Sequence, residues 1–153
     1  MFDLINGLPV HPLVVHAVVV LLPLATLGTI AIAVRPAWRR PYGLLVVACT
    51  AVATVLIPVS TSSGEALEKH VGNPGEHAEL GEQLIWFAIP MLLLAAAMWW
   101  LDRRAGAGRP AGAGVVRTVT VLAVVAALAT TVQVYRVGDS GAKAAWGDQV
   151  AAK

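Results

Sequence analysis

Four apolar stretches, Leu13 to Val34, Tyr42 to Val59, Leu84 to Leu101 and Val115 to Tyr135, constrain this chain more than any other feature. Each is close to the ~20 residues a helix needs to cross ~30 Å of hydrocarbon. Backbone in lipid must satisfy its own hydrogen bonds, so the stretches are expected to be helices. Hydrophobic residues fill 58% of the 153 positions and charged residues only 13%, about half the roughly 25% of soluble domains. The expected fold is all-α: a bundle of four transmembrane helices in one domain, 1–153, with helices at about 12–34, 42–71, 74–104 and 115–136. The second helix is expected to leave the membrane beyond 59.

Loop charge sets the expected orientation. Arg35, Arg39 and Arg40 lie between the first two helices, and Arg103, Arg104, Arg109 and Arg117 between the last two; against Asp102 alone these seven leave a net +6. The other segments hold Lys69, Arg136, Lys143 and Lys153 against eight carboxylates, a net −4. Short arginine-rich loops stay in the cytoplasm, which predicts a multi-pass protein of the cell's plasma membrane with both termini and the loop from Ser60 to Gln83 outside. The stretch before the first helix, Met1 to Pro12, has no Lys or Arg and precedes an apolar run longer than the usual 7–15 residues of a signal peptide, so a retained helix is expected. The basic residues form no continuous stripe, which argues against a nucleic-acid partner. The lipid bilayer is the expected partner, with a redox protein or other membrane subunits beside it.

Local signals refine the picture. His11-Pro12 opens the first helix, with Pro12 suited to its first turn. Asn73, Pro74 and Glu76 read as the start of the third. Pro23, Pro58 and Pro90 each free a carbonyl four residues earlier. Ala123 with Ala127, and Ala126 with Thr130, allow close helix approach in the fourth. Trp38, Tyr42, Trp99 and Trp100 mark one interface, and Trp86, Tyr135 and Trp146 the other. Ala105 to Gly114 reads as a flexible connector, Cys49 as a small core hydrophobe, and no internal repeat stands out.

All four histidines, His11, His16, His70 and His77, and eight of nine carboxylates fall on the predicted outer side. His11 and His16 are five residues apart, about 140° around a helix, so they do not chelate one ion as an i,i+4 pair would. His16 sits one turn inside an apolar helix, where an ionisable ring is costly unless bonded or liganded. His77 shares a face with Gly81 in Gly75 to Glu82, where Glu76, Glu79 and Glu82 equally suit a solvated helix start. In Tyr135 to Trp146, Gly138 and Gly141 bracket Asp139 and Ser140; a turn there would aim the carboxylate at the bundle mouth, and an Arg136–Asp139 pair is the plain alternative.

The opening Pro9-Val10-His11-Pro12-Leu13-Val14-Val15-His16 and the closing Gly138-x-Ser140-Gly141-Ala142 resemble a bacterial family of four-helix membrane proteins catalogued as a domain of unknown function. The resemblance covers essentially the whole chain. Some relatives are joined to Rieske iron–sulfur domains, which implies redox chemistry. Relatives often carry His where this chain has Asp139, so no histidine ligand carries over at that position.

Three functional expectations follow. One is a haem b near the outer surface with His16 and His77 as axial candidates, in electron transfer. Another is a divalent transition metal held by His11 or His16 with Glu65, His77 and Asp139. The third is a non-catalytic membrane subunit or scaffold packed against a partner chain, with no cofactor. No HExxH, no phosphate-cradling glycine loop and no nucleophile–base pair is present, so an enzymatic reaction is not specified.

Overall fold

The computed structural model describes residues 4–5, 8–72 and 75–151. A short antiparallel pairing, β1 (Leu4–Ile5) with β2 (Leu8–Pro9), leads into α1 (Val10–Val34). A 3-10 turn at Pro36–Trp38 connects it to α2 (Arg39–Val71), followed by α3 (Glu76–Gly106) and α4 (Ala113–Ala151). All four helices are long and apolar enough to cross a membrane. Asn73 and Pro74, and the side chain of His70, lie outside the described residues. Gly75, at φ 61°, supplies the left-handed turn into α3.

Helices consecutive in the chain pack on each other, and α1 also packs on α4, closing a square in which α1 and α3 lie on one diagonal. The interior is built from small residues: Ala53, Ala88, Ala95, Ala123 and Ala127 are fully buried, while Leu24, Leu45, Leu93 and Leu128 face outward. This inversion belongs to a lipid solvent, where burying a leucine gains no hydrophobic transfer and close backbone approach gains dispersion. Leu22, Met91 and Met98 fill the remaining axial space. Because lipid removes the transfer term, Leu22→Ala is expected to cost about 2 kcal/mol, the lower end of the range for buried Leu→Ala. Thermal melting in detergent measures it; an unchanged midpoint would mean the cavity collapses at no cost.

Hydroxyls serve the backbone. Thr50 and Thr54 donate to the carbonyls of Val46 and Thr50, both at 2.7 Å. Thr130 reaches across to the Phe87 carbonyl at 3.1 Å, in the turn of α3 that Pro90 interrupts. At the arginine end, Arg39 is buried and closes α1. Its Nε donates to Ile32 O at 2.9 Å, and its Nη2 to Ala33 O at 3.3 Å and Thr120 Oγ1 at 3.1 Å. Arg35 and Arg104 stack over Trp38 and Trp100, with the cation 4.9 and 4.7 Å from the ring centres.

The bundle is internally duplicated, which the sequence expectation missed. Buried positions of α1 recur in step along α3: Val18 with Leu84, Leu22 with Ala88, Ala25 with Met91, Thr29 with Ala95, Ile32 with Met98. Those of α2 recur along α4: Val46 with Ala123, Thr50 with Ala127, Ala53 with Thr130, Ser63 with Ser140. Two like helical hairpins therefore stand side by side, each running in the same sense. The residues themselves differ, Leu22 against Ala88 and Ala25 against Met91, so the hairpins share a pattern of buried positions and not a sequence.

A second correction concerns the chain after Arg136. No turn forms there; α4 continues unbroken through Ala151. Gly138 and Gly141 are helical, and Gly141 is glycine for a packing reason described next.

Candidate functional site

At the end of the bundle opposite the arginines, a cavity of about 300 Å³ is lined by all four helices. Two histidines stand in its wall, one from each hairpin, at equivalent positions near the starts of α1 and α3. His11 Nδ1 donates to Ser60 O at 2.9 Å and lies 3.3 Å from Ser63 Oγ, whose own hydroxyl donates back to Ser60 O at 2.9 Å. His77 Nδ1 donates to Val137 O at 3.1 Å and lies 3.3 Å from Ser140 Oγ, whose hydroxyl donates back to Val137 O at 3.0 Å. The two networks are the same device built twice.

Each device needs a glycine. A Cβ on Gly64 would lie 3.1 Å from His11 Cε1, and one on Gly141 only 2.9 Å from His77 Cε1. The imidazoles thus rest directly on the backbone of α2 and α4. The spacing explains the sequence: carbonyl, serine and glycine at i, i+3 and i+4 share one helix face. Asp139 is about 200° around α4 from Val137. It leaves that face and pairs instead with Lys143, Nζ to Oδ2 2.7 Å.

A carbonyl only accepts, so the proton of each neutral ring sits on Nδ1 and each Nε2 keeps a lone pair. Among the described residues no partner is found for either Nε2. A backbone-oriented imidazole with its far nitrogen free is the arrangement seen in histidines that hold metals or ligands. Glu65, Glu68 and Glu82 also border the cavity, and Val15, Val18, Ile57, Leu84 and Val134 make much of its wall. Below it, buried Gln133 joins α4 to α3 through a 3.0 Å bond to Leu80 O, with Arg136 3.4 Å from its Oε1.

Of the residues singled out by sequence, the structure brings His11, Glu65 and His77 to this cavity and leaves His16 and Asp139 out of it. The 140° between His11 and His16 decides the first case: with His11 turned inward, His16 is exposed on the outside of α1 and its ring bonds the Pro12 carbonyl of its own helix. It is His11, not His16, that lines the cavity together with His77. Asp139 bonds neither a cavity residue nor Arg136, which turns to Gln133. Among the described residues no three His, Cys, Asp or Glu converge closely enough to hold a metal ion. Ser63, Gly64 and Gln133 are not singled out by the sequence, and Ser140 and Gly141 only as the frame of Asp139. The visible signal was the Ser-Gly pair occurring twice, at 63–64 and 140–141.

A family model described as "Predicted membrane protein (DUF2231)" matches residues 7–153. The chain belongs to this family. Comparison with curated proteins and with solved structures returns no match. The DUF2231 assignment agrees with four helices able to span a membrane and makes the protein an integral membrane protein. The histidine devices and the cavity between them fall entirely within the matched region.

Proposed function

We propose that this DUF2231 protein is the ligand-binding subunit of a membrane redox system. In this reading the arginine end lies in the cytoplasm and the two-histidine cavity opens on the outer side of the plasma membrane. One observation carries it: two imidazoles, each held by a backbone carbonyl and with no Nε2 partner among the described residues, stand in the wall of one cavity. Groups fixed this carefully are costly inside an apolar bundle unless something uses them.

The chemistry of the donors narrows the occupant. Haem b asks the protein for two axial ligands, and His11 with His77 supply two imidazoles from different helices. A volume of about 300 Å³ is at the lower end for small-molecule sites and less than a tetrapyrrole fills, so a haem requires the helix ends to part. A divalent metal finds two imidazoles here and takes its remaining ligands from outside the described side chains. Recognition of a compact, largely apolar molecule by two imidazole nitrogens is supported best.

The test is a dithionite-reduced minus oxidised spectrum, with metal analysis and extraction of small molecules, on protein purified from membranes. Whatever co-purifies is expected to be lost in His11→Ala and in His77→Ala and kept in His16→Ala. Retention in both cavity variants, or loss only with His16, would refute the site. No bound species of any kind would favour a non-catalytic subunit packed against a partner chain.

A further inference from the structure

We propose that the occupant of the cavity is the ring of a quinol, held in its reduced form by one hydrogen bond from each hydroxyl to one imidazole Nε2. This rests on the reading that His11 and His77 share a ligand. The argument begins with proton positions. Both Nδ1 atoms donate to backbone carbonyls, so in its neutral form each ring has a lone pair on Nε2 and no N–H there. The matching ligand brings two donors.

Symmetry adds the second constraint. The two acceptors occupy equivalent positions of two like hairpins and stand on diagonally opposed helices. They call for two equal donors on opposite edges of one molecule, which a para-dihydroxy aromatic ring provides. The size and chemistry of the space agree. About 300 Å³ with a mostly apolar wall, eight of its 22 lining residues valine, isoleucine or leucine, suits a one- or two-ring headgroup. Val19 borders the cavity and is 41% exposed on the outside of α1, which opens a lipid-facing way out for an apolar tail. Glu65, Glu68 and Glu82 on the wall disfavour anions, including carboxylic acids of similar size.

The same geometry discriminates between redox states. A quinone presents two carbonyl acceptors to two imidazole acceptors and forms neither bond, so the oxidised ring is held only by its apolar contacts.

Calorimetric titration of the full chain in detergent, under argon, tests this with a decyl-substituted benzoquinol, its quinone and the quinol monomethyl ether. The quinol is expected to bind about a hundredfold more tightly than the quinone, with the monoether about tenfold below the quinol, each lost hydrogen bond weakening binding about tenfold. His11→Phe and His77→Phe keep a flat ring over the glycine and remove the acceptor. Each is expected to weaken quinol binding about tenfold and leave quinone binding unchanged, with native helix content by circular dichroism; His16→Phe is expected to match the native protein. Equal affinity for quinol and quinone, quinol affinity undiminished in the two phenylalanine variants, or no quinol binding would each overturn the proposal. If quinol fails but a haem or a metal is retained through His11 and His77, the quinol is refuted and the two-histidine site stands. If no ligand depends on either histidine, both fall together.

Discussion

Replacing Gly141 by alanine is expected to abolish ligand retention in the histidine cavity while helix content and membrane insertion stay native. The added Cβ would lie 2.9 Å from His77 Cε1 and 3.0 Å from Nδ1, closer than such carbons approach in proteins. The obstacle is a planar ring anchored through Nδ1, and it relieves the contact only by swinging away and breaking its 3.1 Å bond to Val137 O. The tautomer is then no longer set, and Nε2 leaves its place. Alanine is the better helix former by roughly 0.5–1 kcal/mol, so α4 itself gains and general misfolding is not the expected outcome. Gly64→Ala is the graded control. Its Cβ would meet His11 at 3.1 and 3.2 Å, a contact that a small shift of α1 relieves, and partial loss is expected. Co-purified ligand per protein, measured beside circular dichroism, checks both. Full retention in Gly141→Ala would show that the close ring–backbone contact is incidental.

The largest stability effect is expected at the opposite end. Arg39→Met is expected to lower stability by about 3 kcal/mol, because the Ile32 and Ala33 carbonyls lose a charged donor in a buried setting where hydrogen bonds to charged groups contribute roughly 1.5–3 kcal/mol each. The methionine fills much of the space, so lost packing is a minor part of the change. Arg39→Lys keeps the charge but has no planar fork to serve two carbonyls and Thr120 at once, and an intermediate value is expected. Arg40→Met, at a side chain 68% exposed and 3.9 Å from Asp102, is expected to change stability by less than about 1 kcal/mol. Reversible unfolding in mixed micelles ranks the four proteins. An Arg39→Met variant as stable as Arg40→Met would show that water, not Arg39, satisfies the end of α1.

The two predictions differ in how far the sequence anticipates them. Helix number and approximate extent follow from apolar length alone, since lipid leaves a continuous twenty-residue apolar segment no other satisfied backbone geometry. Trp86, Trp100, Tyr135 and Trp146, expected at the interfaces, are all exposed on the outside of the bundle. The extent of α4 was not legible, because glycines at 138 and 141 read as a turn when their partner is unknown. Once His77 lies across the groove, Gly141 is the residue that lets it approach.

The site was half visible. His77 was identified with a small residue beside its ring, but the sequence pointed to Gly81 on its own helix and not to Gly141 across the groove. His16 drew attention as a polar ring deep in an apolar helix; in the folded bundle it turns outward and serves its own Pro12 carbonyl. Which of two histidines 140° apart faces inward depends on the rotation of α1 about its axis, and that rotation is set by the small residues of α2 and α4 against which it packs.

By itself the sequence determined four membrane-spanning helices, the gathering of seven of the eight arginines at one end and of the histidines at the other, and the presence of imidazoles near two helix starts. These follow from length, hydropathy and loop charge, which act one segment at a time. Only the tertiary structure decided that two hairpins repeat, that His11 and His77 line one cavity, and that the Nδ1 of each is bonded to a backbone carbonyl of the next helix in the chain. Those are relations between helices, created when a carbonyl, a serine and a glycine on one helix meet a ring on another, and no single segment carries them.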